Sequence, residues 1–192
     1  MELKNKDLSF IVFRTDRLGD LVLSIPTAEL IKKKYPDSLL TFVVQSYTAP
    51  VLKNNPFIDD IIYVDKYKFL DLLKIIKKRH INVSIILFST FKSTIVSLLA
   101  KIPLRIGPMS KWWSIFLNRR IKQKRSRCEK NEAVYNIELL NAVGIGDTLY
   151  PKLYIDDNEE KDIQGYYKRI NPENKKLVII HPGSGHSSKN WR

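Results

Sequence analysis

The stretch "IVFRTDRLGDLVLSIP", Ile11 to Pro26, decides how the chain is read. With the three residues before it, it makes a run from Leu8 to Phe13 that is apolar on both faces of a strand. Four charged residues, Arg14, Asp16, Arg17 and Asp20, then crowd the exit before the chain turns apolar again. A strand buried on both faces belongs in a parallel sheet covered on both sides. Ligands of such sheets sit outside the carboxyl ends of the strands. The charged loop is therefore the first place to look for chemistry.

The following segments keep the same alternation. Val22–Tyr35 has the spacing of a helix with Leu23, Leu30 and Ile31 inward, stopped at Tyr35 by Pro36. Leu39–Val44, Asp60–Val64, Val83–Phe88 and Leu104–Ile106 read as strands. Thr48–Asn54, Phe69–Lys78 and a segment capped by Ser89 or Thr90 and running to Ala100 read as helices. Strands alternating with helices predict an α/β fold, a Rossmann-like doubly wound parallel sheet. Beyond it, Asn131–Val143 is a predicted helix closed by Gly144, and Asp156-Asp157-Asn158-Glu159 starts another with acids at its positive end. Asn171 to Asn174 reads as a turn and Lys176–His181 as a strand. The expected division is a first domain over 1–170 and the start of a truncated second one over 171–192.

The chain has 33 basic and 20 acidic residues among 192, a net charge of +13, which points to an anionic partner. One cysteine, Cys128, excludes a disulfide framework and fits a reducing compartment. The charged start MELKNKD is unlike a signal peptide, and no window approaches a membrane span. A cytoplasmic protein is expected, able to touch a membrane surface. The segment "KWWSIFLNRRIKQKRSR", Lys111 to Arg127, joins aromatics to a run of cations. It suits an anionic membrane interface, an RNA backbone with stacked bases, or tryptophans packed on the sheet beneath a solvated rim.

The first loop carries only Gly19, so a G-x-G-x-x-G dinucleotide cradle is absent. Asp20 fits two roles, a helix N-cap and a carboxylate base beside Arg14 and Arg17. The last loop, "HPGSGHSSKNWR", offers open amides at Gly183 and Gly185, hydroxyls at Ser184 and its neighbours, and Lys189 where a helix should start. That suits a phosphate. Ser188 stands where a P-loop needs its second glycine, which argues against a nucleoside triphosphatase. His80, His181 and His186 lack metal-ligand spacing, so no metal site and no cofactor are expected.

Taken in order, "FRTDRLGDLVLSIPTAELIKKKYPDSLLTFVV", "NPFIDDIIYVD", "LRIG", "FLNRR", "NIELLNAVGI" and "IIHPGSGHSSKNW" resemble the glycosyltransferase family 9 heptosyltransferases along the whole chain. Asn82 departs from them, standing where many members carry aspartate. The resemblance implies a GT-B architecture, with the acceptor on the first Rossmann-like domain and the nucleotide-sugar on the second. It implies an inverting, metal-independent transfer of a heptose-like sugar from an ADP-heptose-like donor to an anionic glycolipid of the lipopolysaccharide core, at the inner face of the plasma membrane. Asp20 would be the catalytic base. Gly183, Ser184, Gly185 and Lys189 would hold the donor phosphates. Arg14, Arg17, Lys92, Lys111, Arg119 and Arg120 would meet the acceptor. With most of a donor domain missing, little or no activity is expected of these 192 residues alone, and no nucleic-acid partner. Two alternatives are a family 9-like transferase with another donor and a non-catalytic basic module that binds nucleic acid.

Overall fold

The computed structural model describes residues 8–180. They fall into two compact units, divided between Tyr154 and Ile155, ahead of the boundary expected after residue 170.

The first unit is built on six parallel strands: β1 (Ser9–Phe13), β2 (Leu39–Val44), β3 (Asp60–Tyr63), β4 (Val83–Ile86), β5 (Leu104–Pro108) and β6 (Arg119–Ile121), in the order β3-β2-β1-β4-β5-β6. This is the doubly wound Rossmann order, whose switch point lies between β1 and β4. All five residues of β1 are buried, because neighbouring strands flank it and helices cover both its faces. Phe10 and Val12 point into one apolar layer and Ile11 and Phe13 into the other, as the two-residue period of a strand requires. β6, with its sequence Arg-Arg-Ile, is a strand the hydrophobic pattern does not announce. Its edge position explains why it tolerates two exposed arginines. Asn82 serves the sheet: its Oδ1 accepts from the Ser9 N–H at 2.8 Å.

The helix expected over Val22–Tyr35 starts later, as α2 (Pro26–Lys34), and a separate short helix, α1 (Leu18–Val22), forms within the segment read as a charged loop. Pro26, at the first turn of α2, lacks an N–H and suits a helix start. The hydroxyls of Ser24 and Thr27 bond back to the carbonyls of Leu21 and Ser24 across the joint. α2 shares the Phe10 and Val12 layer with α5 (Glu132–Glu138) and the 3₁₀ turn Leu139–Val143 after it. Gly144 closes that turn at φ 76°, the left-handed conformation expected of it. The opposite layer is covered by α3 (Phe69–Lys78) and α4 (Phe91–Leu99), the latter started by a Thr90–Ser93 capping box.

The second unit holds α6 (Asp157–Ile170), opened by the reciprocal Asp156–Glu159 capping box. The turn at Asn171–Asn174 forms, tied by a bond from the Lys175 N–H to Asn171 Oδ1 at 2.9 Å. The strand expected over Lys176–His181 does not appear in its described part. Leu177 to Ile180 are 49–83% exposed, and a strand without a neighbour to accept its ladder bonds is not a strand. His181, together with Gly183, Ser184, Gly185 and Lys189, lies outside the described residues.

Candidate functional site

Arg14 continues the ladder of β1, its N–H donating to Val43 O at 3.0 Å. Two residues past Val12, its side chain falls on the same face of the sheet, toward α1 and α5. The residue is 2% exposed, and its guanidinium lies among three carboxylates. Nε lies 2.8 Å from Asp16 Oδ1 and Nη2 lies 3.1 Å from Asp20 Oδ1. Nη1 lies 2.9 Å from Glu132 Oε1 and donates to Asn136 Oδ1 at 3.1 Å.

This gives Arg14 a different place from the one expected of an acceptor-binding cation. Buried and ion-paired, it is a strut beneath the loop. An arginine suits that position because one rigid fork serves three carboxylates, and Arg stays charged at any working pH.

Asp20 is the third residue of α1, so it is not the N-cap. That position belongs to Arg17, which makes no side-chain capping bond and is exposed. The Asp20 side chain is 36% exposed and tethered through one oxygen to Arg14. It stands at the carboxyl end of β1, open to solvent yet fixed in position. Gly19 beside it has open space where a Cβ would be, with nothing within 4 Å beyond its chain neighbours and its own helix backbone. Nothing inside the fold demands a glycine there. The bare backbone instead leaves room for something to approach next to Asp20.

Asp16 completes the loop. Its carboxyl is pushed up from 3.8 to about 6, chiefly by burial. The Arg14 charge pulls in the opposite direction, and the charge of Asp20 adds to the rise. The backbone around it is held from β2, because Gln45 Nε2 donates to Thr15 O at 3.1 Å and the Tyr47 hydroxyl to Asp16 O at 3.1 Å.

Three residues of this arrangement escaped the reading of the sequence. Glu132 and Asn136 are one helical turn apart on α5, so both face Arg14. Asn136 is fully buried and donates to Leu23 O at 3.1 Å, tying α5 to the end of α1. Arg125, read as one cation of a basic run, donates to Glu132 Oε1 at 2.5 Å and to Leu87 O at 3.2 Å. The i, i+4 spacing of a carboxylate and an amide was the one local signal available. Its meaning depends on Arg14, 118 residues away.

A second feature opens at the carboxyl ends of β1 to β4. A cavity of about 270 Å³ is lined by Thr15, Gln45, Asp65, Thr90, Lys92 and others. Lys92 Nζ reaches Val64 O at 3.3 Å and Tyr67 O at 3.4 Å on its wall. The cavity reaches the switch point through Thr15 after β1 and Thr90 after β4, where ligands of this fold bind, while the Lys92 amine is turned toward the loop after β3. Arg119 and Arg120 are exposed on β6, three strands from β1, roughly 14 Å at the usual strand spacing. Lys111 is exposed in the connection before β6. The structure therefore does not gather the six expected acceptor cations at one point.

No family model matches the chain. It is 32% identical to a Haemophilus influenzae protein provisionally described as a glycosyltransferase, over 94% of this chain and 56% of that protein. It superposes on a glycosyl transferase family 9 structure from Veillonella parvula with a TM-score of 0.78 and 22% identity, covering 100% of this chain and 58% of the other. The chain is similar to a protein described as a glycosyltransferase and shares the fold of a family 9 glycosyl transferase structure. The same fold recurs in the E. coli ADP-heptose lipopolysaccharide heptosyltransferase II, with a TM-score of 0.71 and 20% identity over 83% of this chain and 50% of that one. An E. coli heptosyltransferase with ADP follows at 0.61 and 16%, over 82% and 53%. The chain spans a little over half the length of the Haemophilus and Veillonella relatives it matches. Within this shared fold, β1, its charged exit and α1 form the edge on which Asp20 stands.

Proposed function

We propose that this chain is the acceptor-binding part of an inverting, metal-independent glycosyltransferase that moves a heptose-like sugar from an ADP-heptose-like donor to an anionic glycolipid of the lipopolysaccharide core. The observation that carries this reading is Asp20: a solvent-reachable carboxylate at the carboxyl end of the first strand, fixed by a buried arginine.

In the proposed step Asp20 takes the proton of the acceptor hydroxyl as that oxygen bonds to the anomeric carbon. The bond from that carbon to the nucleoside diphosphate breaks on the opposite face, inverting the configuration. Arg14 holds Oδ1 of Asp20, which leaves Oδ2 as the oxygen that receives the proton. The cavity at the switch point, with Lys92 on its wall, is assigned to the acceptor side. Arg17, exposed on the same loop, is assigned to the acceptor's charged groups. Gly183, Ser184, Gly185 and Lys189 are assigned to the leaving phosphates, where oriented donors contribute most to such a reaction. The work is placed at the inner face of the plasma membrane, where a glycolipid acceptor is presented.

The test is Asp20→Asn in the complete protein, with ADP-heptose and a lipid-linked acceptor. Turnover falls about 10²–10⁴-fold while acceptor binding stays within a few-fold. An Asp20→Asn enzyme that keeps its turnover refutes the assignment. Replacing the donor by other nucleotide-sugars in the same assay tests the heptose. The 192 residues alone give no measurable turnover, and ordinary activity from them overturns the division of labour between two domains.

A further inference from the structure

A patch of large apolar side chains lies exposed where α4 begins and β5 ends. Phe91 opens α4 at 48% exposure, Met109 follows β5 at 51%, and the 3₁₀ turn Trp112–Phe116 presents Trp112 at 66% and Ile115 at 62%. Three residues make one turn of such a helix, so Trp112 and Ile115 project from one side while Ser114 is buried. The rings support one another. Phe91 and Trp112 have centroids 5.7 Å apart, as do Trp112 and Trp113, and Phe116 stands 6.5 Å from Trp112. Trp113 is pinned from below, its indole N–H donating to Ser89 Oγ at 2.9 Å. The patch is held in shape, and its outer members have water where a partner would be.

The charge around it has one sign. Between Asp71 and Glu129 the sequence has no carboxylate and 14 lysines and arginines. Lys111 is exposed next to Trp112, and Arg120, paired with Gly107, projects from the sheet face that α4 covers, while Arg119 projects from the opposite face. We propose that Phe91, Met109, Trp112 and Ile115, with Lys111 and Arg120 on the same side of the sheet, seat the chain in the headgroup layer of a bilayer containing anionic lipid. Indole rings favour that depth, and each nearby cation adds attraction to anionic headgroups. A nucleic acid fits less well. Its bases need open ring faces, and here Trp112 is hemmed by Phe91, Trp113 and Phe116, while Met109 and Ile115 have nothing to stack or hydrogen-bond. A second copy would bring the same cations against these.

The surface takes its biological membrane from the function proposed above, but its binding is measured with no sugar present. Failure on vesicles and failure of sugar transfer are therefore separate results. The probe is vesicles of phosphatidylcholine with or without phosphatidylglycerol, carrying brominated acyl chains, and the chain is the Trp191→Phe variant, so that emission comes from Trp112 and Trp113. Flotation and quenching are expected with the anionic vesicles and not with phosphatidylcholine alone. Trp112→Ser lowers partitioning by about tenfold or more. Lys111→Gln with Arg120→Gln lowers it about 30-fold. Circular dichroism melts of the cation variants match the parent, and Trp112→Ser, which loses ring contacts, is assayed well below its own midpoint, which separates lost binding from lost folding. Absence of quenching overturns the proposal. So does vesicle binding indifferent to Trp112→Ser, a dimer abolished by Trp112→Ser, or salt-sensitive RNA binding in place of vesicle binding.

Discussion

Replacing Asp16 by asparagine converts the buried carboxyl into a permanent neutral isostere and isolates its titration. Asp16 has its carboxyl raised from 3.8 to about 6, mainly because its charged form is desolvated. In the unfolded chain it ionises near its ordinary value, so between pH 4 and 6 the folded state binds a proton that the unfolded state has released. Stability from this group is fully present below the unfolded pKa and is lost as pH rises through the folded one. A displacement of this size corresponds to about 3 kcal/mol at most. The side chain is 12% exposed and paired with Arg14, and screening by water at its rim reduces the effect to about 1–2 kcal/mol. Urea unfolding of the parent and Asp16→Asn chains at half-unit steps from pH 4 to 8 measures this directly. The variant's stability relative to the parent should climb by about 1–2 kcal/mol between pH 4 and 6 and stay level above pH 7. Other groups largely cancel in that difference. A difference that is flat, or that falls as pH rises, refutes the claim that burial outweighs Arg14 at Asp16.

Arg14→Met should cost about 3–5 kcal/mol, because it leaves Asp16, Asp20 and Glu132 gathered around an absent cation; denaturant midpoints report it, and a loss below 1 kcal/mol would mean the strut is idle. Gly19→Ala meets nothing beyond its chain neighbours and its own helix backbone, so thermal unfolding should show no destabilisation and a gain of up to about 1 kcal/mol from helix propensity. In the transfer assay proposed above the added methyl should lower kcat/KM, and unchanged kinetics would remove the argument that the space is kept for a ligand. Gly107→Ala on β5 places a Cβ 2.8 Å from Leu117 Cδ1 and 3.4 Å from Ile86 Cβ. A loss of about 1–3 kcal/mol in denaturant unfolding is expected, and Leu117→Ala in the same chain should relieve part of it.

Much of this protein was written locally. β1 could be read from six residues because a strand buried on both faces has no polar alternation to obscure it. Asp20 could be singled out because four charges at such a strand's end serve no packing purpose. The Thr90 cap and the Gly144 stop follow from chemistry within one helical turn. The failures differ in origin. Pro26 carried a local signal that a helix starts there and not at Val22, because a proline in a helix interior removes a bond and clashes with the preceding turn, and the apolar periodicity masked it. β6 becomes a strand through the free edge of β5, and residues 176–180 form none for lack of such an edge.

Arg14 shows the division most plainly. Its sequence neighbours announced a cation in a ligand cleft. The period of the strand turned it inward instead, onto Glu132 and Asn136 of a helix more than a hundred residues later. Short-range patterns settled which elements exist and which loop carries the charge, because caps, turns and periodicity act within a few residues. Which charges face water and which are spent on one another was decided only when the sheet brought distant segments into contact, since desolvation and ion pairing depend on distance in space.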